Sequence, residues 1–192
     1  MGDQSRGSHR LSHEEFACLV DHHQHRLYAF LHSLIGNAEQ AFDLVQDTFY
    51  DAWRVAQRGD PPFVSDAEPG SAQRWLFRAG YNNALSLLRR RRRIRWESLD
   101  QLDESHPSFE DLSGAFDEQL AESEALQTAL AQLAPQDVAC LLLRIVYGFN
   151  AAEVGAILHT SPDNVNTRLT RAKQRLRAAY LQHTAPEEQI RR

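Results

Sequence analysis

The residues best suited to chemistry lie in one run, Ser161-Pro-Asp-Asn-Val-Asn-Thr-Arg-Leu-Thr-Arg-Ala-Lys-Gln-Arg-Leu-Arg177, and that chemistry is recognition of a polyanion. Ser161 is a good N-cap, and Pro162 suits the first helical position, where a missing N–H costs nothing. Val165, Leu169, Ala172 and Leu176 recur at helical spacing, so one stripe of the helix faces a core. Asp163, Asn164, Asn166, Thr167 and Arg168, early in the helix, could meet base edges, since amides suit adenine and guanidinium groups suit guanine. Arg171, Lys173 and Arg175 are better placed for phosphates. Upstream, Asn150-Ala-Ala-Glu153 has the spacing of a capping box and opens a short helix with Val154, Ile157 and Leu158 as its apolar face. A short helix, a turn at His159-Thr160 and a capped basic helix together form the pattern of a helix-turn-helix. The plainer alternative is a surface helix with solvated charges.

A second basic segment runs from Arg74 to Arg95, with eight arginines and no acidic residue. From Glu97 to Glu124 there are ten acidic residues and no Lys or Arg, and from Ala125 onward the balance is eight basic to five acidic. The net charge of −5 therefore hides a basic, acidic, basic alternation. Five consecutive arginines, Arg89 to Arg93, cannot all be buried, and their charge favours a phosphate backbone through counterion release. Trp75, Phe77 and Tyr81 could stack on unpaired bases, worth about 1–3 kcal/mol each. Trp75 and Phe77 are two apart and cannot share a helix face, so some of these rings belong to a core.

The elements that position these groups all read as helices. Ser12-His-Glu-Glu15 is a cap with acids in its first turn, followed by Phe16, Leu19, Val20, Leu27, Phe30, Leu31 and Leu34 before a stop at Gly36-Asn37. A second helix spans about 38–57, with Phe42, Val45, Phe49, Ala52 and Trp53 on one face and Asp43, Gln46, Asp47, Tyr50 and Arg54 on the other. Turn residues fill Arg58 to Ser71, and a third helix runs from about Ala72 to Arg93. Gly80 inside it costs about 1 kcal/mol relative to Ala. Val138, Leu141, Leu142 and Ile145 mark a core helix that stops at Gly148. No β alternation is found. The expected fold is all-α, two helical domains joined by a flexible acidic linker, the C-terminal one a helix-turn-helix. The boundaries are a disordered extension over 1–11, a first domain over 12–95, the linker over 96–122, a second domain over 123–182 and a tail over 183–192.

An apolar share of 42% supports genuine cores, while no apolar run approaches the roughly 20 residues needed to span a bilayer. Cys18 and Cys140 each fall in an apolar helical pattern, which suits buried thiols in a reducing, cytoplasmic setting. His22 and His25, with Asp21 nearby, share a helix face but lack a third well-placed ligand, so no metal site is expected. No nucleophile–base pair or Gly-rich phosphate loop is found. The expectation is a protein that is not an enzyme and needs no cofactor.

Three segments in order resemble bacterial sigma factors of the extracytoplasmic-function (ECF) type. Ala41-Phe-Asp-Leu-Val-Gln-Asp-Thr-Phe-Tyr-Asp-Ala-Trp-Arg54 resembles the family's region 2.2, Trp75 to Arg90 resembles regions 2.3 and 2.4, and Leu133-Ala-Pro-Gln-Asp-Val, Leu141-Leu-Leu-Arg144 and the helix-turn-helix resemble region 4. The resemblance implies a subunit that binds core RNA polymerase, recognises −10 and −35 promoter elements and helps melt the duplex. Asp43, Gln46, Asp47 and Tyr50 would contact the β′ clamp helices, and region 4 the β flap. The −10 element would meet Arg74, Trp75, Arg78, Tyr81, Asn82, Arg89 and Arg90, and a flipped base would meet the loop residues Phe63, Val64, Ser65 and Asp66. The −35 element would meet Asp163, Asn164, Asn166, Thr167, Arg168, Arg171, Lys173 and Arg175. An anti-sigma factor is a further implied partner. Ala79, Gly80, Asn83, Ser86 and His159 depart from the residues usual in the family, His159 standing where a turn glycine is frequent. A stand-alone helix-turn-helix regulator is the alternative reading.

Overall fold

The computed structural model describes residues 10–59, 61, 70–97 and 125–184. The extension up to residue 9, the loop residues Phe63 to Asp66, the acidic linker from residue 98 and the tail from residue 185 lie outside the described residues. Helices are α1 (His13–Ile35), α2 (Ala38–Ala56), α3 (Ser71–Glu97), α4 (125–131), α5 (Pro135–Leu141), α6 (Ala151–Leu158) and α7 (Pro162–Thr184). There is no strand among the described residues.

Local chemistry sets the ends of most of these helices. The Ser12 hydroxyl accepts from the Glu15 amide at 3.2 Å, and the Glu15 carboxylate accepts from the Ser12 amide at 2.8 Å. Two donors that the helix cannot satisfy internally are thus satisfied reciprocally. Leu11, just before this cap, is 7% exposed, and its carbonyl accepts from Gln57 Nε2. The expected disordered extension therefore stops short of Leu11, because an apolar residue preceding the cap packs under the helix it opens. Gly36 closes α1 with φ 68°, a left-handed conformation cheap only for glycine, and Asn37 caps α2. α3 extends four residues beyond the expected end, through the whole arginine run, since arginine is a good helix former.

Helices α1, α2 and α3 enclose a core of Leu27, Phe30, Leu31, Leu44, Phe49, Leu76 and Phe77. On α2 the buried stripe is Ala41, Leu44, Val45, Thr48, Phe49, Ala52 and Ala56. Phe42, expected in this stripe, is instead 55% exposed. The small residues Ala41, Thr48 and Ala52 centre the contact on a different line of the helix and leave Phe42 at its edge. Thr48 satisfies its buried hydroxyl by donating to the Leu44 carbonyl at 2.7 Å. Gly80 has a packing reason: a Cβ there would lie 3.0 Å from Leu27 Cδ1, so its absence lets α1 and α3 approach closely.

The core helix of the C-terminal half also departs from regular periodicity. After α5 the chain continues as a π-helical turn over Leu142–Val146, closed by the Tyr147 amide donating to the Leu142 carbonyl at 3.0 Å. The wider turn shifts the register, so Leu143 is buried while Ile145, expected in the core, is 57% exposed beside Val146 at 63%. Tyr147 then swings onto the N-terminal half, where its hydroxyl donates to the Arg26 carbonyl at 3.0 Å. Its ring meets Phe30 at 6.1 Å and Phe77 at 4.6 Å between centroids. The two halves thus share one continuous core.

Cys140 is buried, and burial raises its thiol pKa, which keeps it protonated and unreactive. Cys18 is exposed, contrary to the expectation of two buried thiols, because it lies off the stripe that α1 turns inward. His23 and His32 both have pKa values lowered from the ordinary 6.5, burial being the first cause. The unfolded chain binds these protons more readily than the folded one, so stability is full above about pH 6.5 and falls as the pH drops below it. The melting temperature is expected to decline between about pH 7 and pH 5.5, and less steeply in His23→Phe. Thermal melts across that range check this, and equal slopes in the two proteins would refute it.

Candidate nucleic-acid interface

The helix-turn-helix forms as the residues dictate. The Asn150 side chain accepts from the Glu153 amide at 3.0 Å while Glu153 Oε2 accepts from the Asn150 amide at 2.8 Å. His159 ends α6 at φ 55°, ψ 48°, the left-handed conformation usually given to glycine. Gly155 lies beneath this turn, where a Cβ would come within 2.6 Å of the Thr160 carbonyl oxygen. The Thr160 amide donates to the Gly155 carbonyl at 2.9 Å, and Ser161 caps α7 by accepting from the Asn164 amide at 3.2 Å. Val165 and Ala172 are fully buried and Leu169 and Leu176 partly so, which fixes the face that α7 turns outward.

That outward face carries Asp163, Asn164, Asn166, Thr167, Arg171, Lys173 and Arg175, all exposed. The Thr167 hydroxyl donates to the Asp163 carbonyl of its own helix at 3.0 Å, leaving only its lone pairs to face outward. Asn164, Thr167, Arg168, Arg171 and Arg175 converge with Thr160 around a cleft of about 410 Å³. Asp137 lies at its base, a residue whose role was not legible in the sequence. Its carboxylate, 4% exposed, accepts from Arg168 Nη1 at 2.8 Å and Arg175 Nη1 at 2.7 Å. One acid from α5 therefore holds two arginines set two turns apart on α7, and leaves Arg171 between them outside the pairing. The only hint in the sequence was a single acid at the third position of a helix, where an N-terminal dipole already explains it.

On α3, Arg78, Asn82, Arg89 and Arg90 are exposed, and Arg74 and Trp75 are partly buried. Trp75 lines a surface cavity of about 340 Å³ between α2 and α3, with Arg54, Arg58, Asn82 and Asn83. Tyr81, expected on the −10 surface, is 1% exposed. Helix α3 is enclosed by α1 and α2 on one side and α6 on another, and Tyr81 falls on the enclosed line, with Arg168 and Cys140 close enough to influence its titration. Its phenol pKa is raised, chiefly by burial. Two polar contacts tie the same helix to the helix-turn-helix: Arg74 Nη1 to Glu153 Oε1 at 3.0 Å, and Asn82 Oδ1 to His159 Nε2 at 3.0 Å. Glu153 and His159 are thus engaged in an interface that sequence reasoning missed.

The outer face of α2 presents Asp43, Gln46, Asp47 and Tyr50, all exposed, as expected. Tyr50 is 63% exposed, with the Arg54 guanidinium 5.8 Å from its ring centre, and Phe42 extends the same surface. Phe42 and Tyr50 are thus exposed apolar side chains set among the exposed carboxylates Asp43 and Asp47. Among the described residues no group of three or more His, Cys, Asp or Glu could hold a metal ion, and no helix is long and apolar enough to cross a membrane.

The family model for Sigma-70 region 2 matches residues 19–94, and that for Sigma-70, region 4 matches residues 123–176. The chain is 33% identical over 175 residues to the ECF RNA polymerase sigma factor SigE of Mycolicibacterium smegmatis, covering 89% of this chain and 63% of the relative, under two thirds of that protein's length. It is 30% identical over 165 residues to the ECF RNA polymerase sigma factor SigL of Mycobacterium tuberculosis, covering 83% of this chain and 85% of the relative. The fold is similar to that of the sigma factor RpoE in its complex with the anti-sigma factor NepR from Bartonella quintana, with TM-score 0.69, 25% identity, and coverage of 86% of this chain and 96% of that one. A match to region 2 as well as region 4 is more than a stand-alone helix-turn-helix regulator would give, and that alternative is set aside. With both regions matched in order and a relative at this identity covered over most of its length, the chain belongs to the ECF RNA polymerase sigma factors of the sigma-70 family.

Proposed function

We propose that this chain is the promoter-reading subunit of an RNA polymerase holoenzyme, a non-enzymatic cytoplasmic factor that directs the core enzyme to −10 and −35 elements and promotes melting. The observation that carries the reading is one chain holding both a capped recognition helix with an outward Asn164, Asn166, Thr167 and Arg171 and a second helix, α3, with five consecutive arginines, Arg89 to Arg93, near its C-terminal end. The boundaries 12–95, 96–122 and 123–182 serve as its −10 and core-binding domain, linker and −35 domain. Arg74, Trp75, Arg78 and Asn82 with Arg89 and Arg90 are the −10 candidates, and the loop Phe63 to Asp66 completes them. Tyr81 is withdrawn from that set while the two halves are packed together.

For docking on the polymerase, the exposed ridge Asp43, Gln46, Asp47 and Tyr50 is the candidate surface toward the β′ clamp helices, with Phe42 added. Regulation by an anti-sigma factor is supported by the RpoE–NepR likeness. Co-elution of the chain with bacterial core RNA polymerase tests the reading. Asp43→Arg/Asp47→Arg is expected to weaken that binding about a hundredfold, the scale of a desolvated charge pair replaced by like charges. Wild-type protein that is folded and monomeric yet fails to bind core enzyme overturns the proposal.

A further inference from the structure

A groove of about 290 Å³ runs where the end of α1, the last turns of α3 and the α4–α5 corner meet. Leu34, Leu88, Leu130 and Leu133 line its floor and walls, and Arg91 and Arg92 stand on its rim. Apart from Arg91 and Arg92, which belong to the arginine run of α3, none of the candidate DNA-facing or polymerase-facing residues described above lines it. Two exposed apolar side chains extend its surface: Ile94, 53% exposed, lies one turn beyond Arg91, and Leu126, 43% exposed, lies one turn before Leu130. Arg89, Arg90, Arg92 and Arg93 are exposed, and none of them forms an ion pair with another described residue. An apolar cleft rimmed by unneutralised guanidinium groups calls for an occupant that is both apolar and acidic.

The chain supplies one. Residues 98–124 carry nine Asp or Glu and no Lys or Arg, interspersed with Leu99, Leu102, Phe109, Leu112, Phe116 and Leu120. This segment leaves α3 just past Ile94 and rejoins the chain at α4 just before Leu126, so both its ends are anchored at the groove's two walls. A tether that short holds the segment at an effective concentration that no separate partner of similar chemistry matches. We propose that residues 98–124 dock in cis on this groove, their apolar side chains in the cleft and their carboxylates against Arg89 to Arg93. The docked segment takes the place that phosphates would otherwise occupy on the arginine run of α3. The free chain then presents fewer unneutralised cations to DNA than its sequence carries.

Amide hydrogen exchange on the full chain, followed by mass spectrometry, tests this in one run because it reads the segment and the helices separately. At low salt, amides within 98–124 are expected to exchange about tenfold more slowly than in the same protein at high salt. Arg91→Glu/Arg92→Glu should remove the protection while α1, α2 and α5 retain theirs. Phe109→Ser/Phe116→Ser, which changes only the segment, should do the same and cannot act by unfolding the helices. Exchange in 98–124 that is equally fast in all proteins overturns the proposal. Protection that disappears on dilution assigns the groove to a second copy and overturns it as well.

Discussion

Phe77→Ala is expected to lower the stability of the chain by about 4 kcal/mol, in the middle of the range for truncating a core aromatic. Phe77 is fully buried and touches rings from both halves: Phe30 of α1 at 5.0 Å, Tyr147 at 4.6 Å and Phe149 at 5.6 Å between centroids. Edge-to-face contacts of this kind add about 0.5–1.5 kcal/mol each beyond the buried area. Because one side chain serves both halves, its loss should destabilise them together rather than loosen the N-terminal bundle alone. The expected melting temperature falls on the order of 10 °C. Hydrogen exchange supplies the discriminating readout, since amides of α1 and of α5 should lose protection in parallel. Undiminished protection in α5 would show that the halves do not share this core in solution. Tyr147→Ala should act more mildly, opening the junction while leaving Phe77 packed on Phe30. The Tyr147 phenol, with its pKa pushed up to about 12 by burial, remains a donor to the Arg26 carbonyl throughout the neutral range.

What was legible in the sequence is what local chemistry decides. The Asn150/Glu153 capping box, the Ser12 cap, the glycine stop at Gly36 and the Ser161 cap all formed as read, because each partner lies within four residues of the other. The buried stripe of α7 followed from its period alone. The failures share one cause, which is that burial is decided between helices. Tyr81 has the composition of a base-stacking residue, but α3 is covered on more than one side. Phe42 sits in an apolar repeat whose small members set the true contact line. Ile145 obeys a 3.6-residue period that the π-helical turn interrupts. Of the candidate site, the exposed members of α7 and α2 stand where expected, while Arg168 and Arg175 acquire a partner 31 and 38 residues away that no short-range pattern signals.

Asp137 is therefore the position where a single substitution should say most about the proposed −35 surface. Removing one partner of a fully buried pair typically costs about 3–5 kcal/mol. Here the side chains of Arg168 and Arg175 are 36% and 63% exposed and can turn to water, which argues for about 2 kcal/mol in Asp137→Ala. That corresponds to a fall of roughly 4–8 °C in melting temperature. Asp137→Asn keeps the shape and one acceptor oxygen but removes the charge, so it should cost less and leave the surface around Arg168 and Arg175 more cationic by one unit. Both arginines then become available to phosphates, with Arg171 already exposed between them. Duplex affinity should rise at low salt, and the slope of log affinity against log salt should steepen by about 0.9 for each added phosphate contact. Anisotropy titrations of a short mixed-sequence duplex at several salt concentrations measure this directly. A purely structural carboxylate predicts a lower melting temperature with an unchanged salt slope. A carboxylate that restrains two DNA-facing arginines predicts that the slope moves even where stability barely does, and Asp137→Asn separates the two.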